Sequence, residues 1–404
     1  MTGSDGGSTT AMRRGARTAA IATAVVFGSN GALYGSWVTR IPAIRDQVDA
    51  RPAALGLALL CIGGGSLLSM PATGMLVRRF GSRTVVTATA IFAAVMFTAA
   101  GLAPSVVALG LAFALAGLSW GVWDVAMNIQ GHYAERLLGR QLMPRFHACW
   151  SGGSIVGAAA GALVASLHLP VGAHLAVAGT LVFVVTLVAV SRYLPDRGDG
   201  PEGAVTPSEE GTHLPAWKVL DVRLLLIGLL TLCGTVGEGA ASDWLALLFT
   251  DERDASPGVA AAAFTTFTIA MTAGRFIGTT TIERLGRTNA LRASGAVAAL
   301  GVVCTLTLPG LPAGLAGAAL WGLGISIVFP ATMSAAGDGS RRPADAIAAV
   351  STVGYGDFLI GPPLIGFLAD AHGLDNALWV VVGLAAGIVA LAFAARQTRR
   401  PGSG

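Results

Sequence analysis

Five ionisable side chains fall inside otherwise apolar runs of this 404-residue sequence: Asp124, Glu238, Asp243, Arg275 and Asp357. A charge in hydrocarbon surroundings costs roughly 2.5–3.5 kcal/mol on insertion scales, so each needs a partner, a cavity or a function. Asp124 shares a helical face with Trp120 and Asn128, four residues to either side. An acid, an amide and an indole on one stripe suit a wet cavity that binds a polar solute. A partly desolvated carboxylate there can also exchange protons near neutral pH; the alternative is an acid paired with an arginine for packing alone. Glu238 sits in Gly234-Thr235-Val236-Gly237-Glu238-Gly239. Three glycines in six residues predict local unwinding of that helix, as in discontinuous transporter helices. Glu238 reads either as a binding or protonation site or as the structural partner of Arg275. Asp243, before Trp244, reads as an interfacial acid exposed to water. Asp357, beside Tyr355 and Gly356, is either a substrate-specific acid or the counter-ion of Arg275. Arg275 reads as half of a structural or gating pair.

Two aromatic stripes add to these charges. Asn30, Tyr34 and Trp37 share one helical face, and so do His147, Trp150 and Ser154. Tryptophans well inside a span are not interface anchors, and rings that hydrogen-bond often line solute sites, although ordinary packing explains each one singly. His147 lies near the end of its run and reads as a solvated histidine. Cys61, Cys149, Cys233 and Cys304 have no paired spacing, so they predict buried inert thiols rather than a disulfide framework or a metal site. No G-x-x-x-x-G-K-[ST] occurs, so no nucleotide site is expected, no cofactor is called for, and an ion gradient is the remaining energy source.

The elements that must position these residues are membrane helices. The chain is 53% hydrophobic and only 12% charged, about half the charge of a soluble domain. Its 55 glycines occur inside apolar runs, where small residues let helices approach closely. Apolar stretches long enough to span a bilayer fall at 18–39, 53–77, 84–103, 105–130, 146–168, 171–194, 222–249, 258–281, 288–309, 311–336, 344–369 and 373–395. With the N-terminus inside, 21 of the 26 lysines and arginines lie in inner segments. Outer loops hold only Arg40, Arg45, Arg51 and Arg253. This bias places both termini in the cytoplasm, across an inner (cell) membrane. It also accounts for the pI near 9.2 without a nucleic-acid partner. The polar first 16 residues and the long run after Arg17 do not read as a cleavable signal.

The expected organisation is therefore an all-α membrane protein of twelve helices in two pseudo-symmetric halves. Residues 1–17 form a cytoplasmic tail, 18–194 and 222–395 the six-helix halves, 195–221 a cytoplasmic linker, and 396–404 a second tail. The halves echo each other. Gly74-x-x-x-Arg78-Arg79-Phe80-Gly81-Ser82-Arg83 follows the second span, and Glu283-Arg284-Leu285-Gly286-Arg287 follows the eighth. Gly157 and Gly161 in the fifth span are matched by Gly361 and Gly366 in the eleventh. The small-xxx-small pattern at 157–161 reads as packing within a half rather than as a dimer contact, so a monomer is expected.

This plan resembles the major facilitator superfamily, whose loop pattern is G-x-x-x-D-R-x-G-R-R. Arg78 occupies the acidic slot in the first copy, whereas the second keeps its acid as Glu283. Arg78, Arg79, Gly81, Arg275, Glu283, Arg284, Gly286 and Arg287 are accordingly expected to gate or brace the halves. Within the superfamily the chain is similar to the fucose-permease-like branch of proton-coupled sugar symporters. The similarity lies in Trp123-Asp124-Val125-Ala126-Met127-Asn128, in GRFIGTTTIERLG at 274–286, in Phe329-Pro330-Ala331-Thr332-Met333-Ser334, and in the stretch from Gly361 to Asp370. The resemblance gives Asp124 the coupling role. The branch's second acid, in the first helix, is replaced here by Val38.

The resulting expectation is a secondary active transporter, not an enzyme, that moves a small solute by alternating access, with symport of substrate and protons as the expected coupling. Asp124, Asn128, Glu238, Asp357, Asn30, Tyr34, Trp37, Trp120 and Trp150 are the candidate substrate and proton residues. Proton-driven export of a metabolite or antibiotic uses the same parts, and a non-transporting membrane sensor is the alternative from another class.

Overall fold

The computed structural model describes residues 5–139, 142–194, 221–338, 340 and 343–396. The expected linker at 195–221 lies, but for Asp221, outside them, as do Arg140, Arg197, Lys218, Arg341, Arg342, Arg399 and Arg400.

Every regular element among the described residues is helical, and the helices group into twelve long segments. Those of the N-terminal half are α1 (Asp5–Val38); α3 (Pro52–Ser69) running through a 3-10 turn into α4 (Thr73–Phe80); α5 (Ser82–Ala100); α6 (Val106–Leu138); α7 (Met143–Ser166); and α8 (Val171–Val190). The short α2 (Ile41–Gln47) follows α1. The C-terminal half has α9 (Val222–Glu252), α10 (Pro257–Leu285), α11 (Arg287–Thr307), the pair α12 (Leu311–Ile325) and α13 (Val328–Gly337), and the pair α14 (Pro343–Gly354) and α15 (Asp357–His372). The short α16 (Leu374–Ala377) and α17 (Trp379–Leu391) complete it. Eleven of the twelve segments are long and apolar enough to cross a membrane. The remaining one is α1, whose apolar sequence is diluted by Ser29, Asn30, Tyr34 and Ser36. Large apolar side chains stand on the surface, among them Leu68, Val107, Val222 and Phe276, each more than 70% exposed. In water such a surface would drive aggregation; on membrane spans it is the face that lipid covers.

The described chain divides into two compact units, Met1–Asp49 with Cys61–Glu210, and Ala50–Leu60 with Gly211–Gly404. Helix packing in a bilayer relies on van der Waals contact and small residues, because lipid is as apolar as leucine. The first unit shows this between α1 and α7. A Cβ on Gly31 would lie 2.0 Å from the Trp150 carbonyl oxygen, and one on Gly157 would lie 2.0 Å from that of Ala32. The backbones therefore touch, and the glycines at 157–161 act inside this unit. The same unit packs α5 against α6 and α8. In the second unit, α11 packs on α12 and α17, and α9 packs on α10, α14, α15 and α17. Residues 50–60, the start of α3, belong to this unit, where Arg51 makes a two-pronged ion pair with Asp370 at 2.5 and 3.1 Å.

One expectation about helix continuity is corrected. The α9 helix runs unbroken through Gly234, Gly237 and Gly239. Those glycines accommodate neighbours instead, Val328 against Gly234 and Ile325 against Gly237. The interruptions fall elsewhere. One is Ser326–Ile327, between α12 and α13, where Pro330 lacks the N–H that would bond the Ser326 carbonyl and its ring crowds that oxygen. The other is Tyr355–Gly356, between α14 and α15; here the Thr235 hydroxyl donates to the Gly354 carbonyl at 2.8 Å, which satisfies backbone that the break leaves open.

Candidate solute site and its charged neighbours

In the first unit the close approach of α1 and α7 puts a short amide within reach of an indole. Asn30 is fully buried, and its Oδ1 accepts a 2.8 Å hydrogen bond from Trp150 Nε1. Its Nδ2 has no partner among the described residues. The Tyr34 ring, one turn on, lies 5.3 Å from Trp150, 6.3 Å from Trp120 and 6.0 Å from Trp37. Trp37 stacks on Phe97 at 5.4 Å and meets Phe113 at 5.6 Å, and Phe97 meets Trp120 edge-on at 5.7 Å. Residues from α1, α6 and α7 thus form one aromatic group, with Phe97 of α5 behind it. The fixed spacing of rings gives a rigid wall with a few polar points, the usual make-up of a small-molecule site. Asp124 and Asn128 continue the Trp120 face along α6. The Asn128 amide nitrogen is bound to the Asp124 carbonyl at 2.8 Å. The Asp124 side chain is half-buried, and no arginine pairs with it among the described residues. Of the His147 stripe, Trp150 joins the aromatic group, Ser154 packs buried against α1, and His147 is exposed with its ring edge-on to Phe27 at 5.4 Å.

The second unit carries the remaining charges. Arg275 on α10 pairs with Glu238 on α9, at 3.3 and 3.4 Å from its two oxygens, with both side chains about one-third exposed. Glu238, and not Asp357, is therefore the counter-ion of Arg275. Asp357 opens α15, where a carboxylate is favoured by the partial positive charge of the helix N-terminus; its Oδ1 is buried without a partner among the described residues. Asp243 is half-buried rather than water-exposed, because α9 continues nine residues past it to Glu252. It lies near enough to Asp357 for the two charges to interact. Of the three carboxylates in the spans of this unit, only Glu238 is paired with the Arg275 guanidinium among the described residues.

The two loop motifs turn their chains in the same way. Gly81 and Gly286 have φ/ψ of 79/150° and 74/153°, between α4 and α5 and between α10 and α11. That region of backbone space is open essentially only to glycine. The side chain directly after the glycine is held differently in the two copies. Ser82 bonds neutrally to Gln130 at 3.2 Å. Arg287, 7% exposed, pairs with Asp338 at 2.7 Å and donates to Ser334 at 3.1 Å. Arg223 adds hydrogen bonds to the Ala335 and Asp338 carbonyls, which closes the end of α13. Arg78, Arg79, Glu283 and Arg284 are exposed, and none has an ion pair among the described residues; Arg79 lies over the Phe80 ring at 5.2 Å. Sequence reasoning missed Phe97, Phe113, Gln130 and Asp338. The phenylalanines look like any other apolar residue of a span, and Asp338 lies just past one.

The arginines expected in outer loops are tied to backbone or to acids. Arg40 donates to the Leu169 carbonyl at 2.7 Å, and Arg45 pairs with Asp46 at 2.7 Å. Arg253 caps α11 through the carbonyls of Thr305, Leu308 and Gly310. Cys149 is exposed and the other three cysteines are half-buried, so none is the enclosed thiol expected, and none forms a disulfide.

The sequence profile of the Major Facilitator Superfamily matches residues 19–356 and 244–404. The chain is 32% identical over 381 residues to an uncharacterised MFS-type transporter of Yersinia pestis, covering 94% of this chain and 96% of that protein. It is 33% identical over 369 residues to the uncharacterised transporter y4wD of Sinorhizobium fredii, covering 90% and 94%. In backbone it is similar to the nucleoside transporter NupG, with a TM-score of 0.72 at 15% identity over 93% of this chain and 98% of that one. It is similar also to a bacterial homologue of the human lysosomal transporter Spinster in an inward-facing, occupied conformation, with a TM-score of 0.73 at 13% identity over 94% and 98%. At these identities the structural likeness is one of fold.

Proposed function

Because the chain belongs to the Major Facilitator Superfamily, a fold of multi-pass membrane transporters, we propose that it moves a small polar solute across the cytoplasmic membrane by alternating access. Asp124 couples that movement to protons. The observation that carries this reading is the position of Asp124: a half-buried carboxylate without an ion pair among the described residues, on the α6 face of Trp120, next to the Asn30–Tyr34–Trp150 group. Such an acid is costly in a span unless it takes up a proton or a ligand. The aromatic group supplies stacking surface, and Asn30 and Asn128 supply polar points. The bias of arginines toward inner segments supports cytoplasmic termini, and the use of the 157–161 glycines inside one unit supports a monomer. The stretches around Asp124, 274–286 and 361–370 support placement near the fucose-permease-like branch.

A screen of the purified protein by thermal shift against sugars, organic acids and antibiotics at two pH values identifies a solute. Its flux into proteoliposomes is then measured with and without a pH gradient. The expected result is flux that depends on the gradient in the wild type and loses that dependence in Asp124→Asn. Flux indifferent to the gradient and unchanged in Asp124→Asn sinks the coupling role.

A second reading, export by proton antiport, is favoured by Val38 standing where the branch has its second acid. It is separated from uptake by comparing accumulation and export of the solute in deletion and overexpression strains.

A further inference from the structure

Arg40, directly after α1, is a cation without a counter-ion among the described residues. It is 4% exposed. One NH2 donates to the Leu169 carbonyl, while Nε and NH1 are buried with no hydrogen-bond partner among the described residues. The neighbouring acid Asp46 is already paired with Arg45. Burial alone pulls the Arg40 guanidinium below its ordinary range, with no compensating charge. A buried guanidinium left in this condition is strongly destabilising.

Two further groups belong to the segment that Arg40 grips at Leu169. His174, 8% exposed, lies close enough for the Arg40 charge to act on its ring, and its Nδ1 has no partner among the described residues. His174 is the fourth residue of α8, a 20-residue helix whose N-cap is Pro170 and which has no side-chain cap. The first turn of such a helix presents free N–H groups and a partial positive charge, which suits an anion. The guanidinium and the first-turn N–H groups are donors only, and the His174 ring adds a donor in its Nδ1–H tautomer. A water could bond these groups but would leave the Arg40 charge uncompensated, whereas an anion both accepts their hydrogen bonds and neutralises it.

We propose that the first unit binds one small anion of halide size between the Arg40 guanidinium, His174 Nδ1–H and the first turn of α8. The near-complete enclosure of both side chains limits the ligand to that size. The anion neutralises Arg40 and joins the ends of α1 and α8. Solute and coupling ion are separate questions, since Asp124 and the aromatic group lie on other turns.

The test uses the full chain, purified in detergent. Its unfolding midpoint is measured in sodium chloride, bromide and gluconate at constant ionic strength, and binding of radiolabelled chloride is measured by equilibrium dialysis. The expected result is a saturable upward shift of the midpoint with chloride and bromide, none with gluconate, and saturable chloride binding near one per chain. Arg40→Gln abolishes the shift and His174→Gln weakens it. Equal midpoints in chloride and gluconate, no saturable binding, or an unchanged response in both variants overturns the proposal. Should Arg40→Gln not fold, the dialysis of wild type and His174→Gln decides alone.

Discussion

Replacing Gly157 with alanine places a methyl carbon 2.0 Å from the Ala32 carbonyl oxygen. Ordinary contact for a Cβ begins near 3.4 Å, so α1 and α7 must part by about 1.4 Å at that point. Both sides of the contact are backbone, so no side chain can swing away to relieve it. Two turns along the same interface, the Trp150–Asn30 hydrogen bond spans 2.8 Å, and a separation of that size takes it beyond bonding distance. Overpacking costs about 1–3 kcal/mol, and stranding the buried amide and indole costs about 1–3 kcal/mol more. The expected loss is therefore about 2–6 kcal/mol, together with weaker solute binding. Gly152→Ala is the matched control, because a Cβ there meets nothing within 4 Å, and alanine is the better helix former by about 1 kcal/mol. Thermal unfolding of both variants in one detergent, followed by the solute thermal-shift assay, reads the difference. A midpoint for Gly157→Ala equal to that of Gly152→Ala would refute the packing argument and, with it, the reason given for the position of Asn30.

Three further outcomes are expected. Asp338→Asn removes the partner of a buried guanidinium whose own acid is partly exposed, so it should cost about 1–3 kcal/mol, whereas exposed Arg284→Ala should stay within about 0.5 kcal/mol; unfolding midpoints that rank the other way contradict the Arg287–Asp338 contact. Glu238→Gln and Arg275→Gln should each be more harmful alone than together, with a coupling of about 0.5–3 kcal/mol in a double-mutant cycle; additive effects would mean that the 3.3 Å pair is not energetically real. Gly81→Ala and Gly286→Ala should each cost about 1–3 kcal/mol, because their backbone region excludes a Cβ, and unchanged midpoints would count against the turn geometry.

The helical architecture was legible because hydrophobic length and arginine placement act over tens of residues and tolerate local error. The aromatic group was legible for the same kind of reason: Asn30, Tyr34 and Trp37 recur at helical spacing, and polar aromatics in a span stand out from leucine and valine. Partner choice was not. Arg275 had two candidate acids in sequence, and only the crossing of α9 and α10 selects Glu238 over Asp357. The glycines around Glu238 were misread as weak points because a glycine gives the same sequence signal whether it frees the backbone or admits a neighbour. Here Val328 and Ile325 fill those faces. The break beside Asp357 was missed because it depends on what the adjacent helix offers, namely the Thr235 hydroxyl that meets the Gly354 carbonyl. Gln130 and Asp338 went unnoticed because a polar residue near the end of a span carries no signal of which loop it will meet.

The bond between Asn30 and Trp150 joins residues 120 positions apart. During synthesis at about 5–20 residues per second, Asn30 is made about 6–24 s before its indole partner exists. Through that interval the one long described segment that is not apolar enough to cross a membrane by composition alone holds an amide with only water, lipid headgroups or the insertion machinery to receive it. The Asn30–Trp150 bond can close only once that interval has passed, so the ribosome, and not the rate of folding alone, sets the earliest moment at which α1 and α7 lock together.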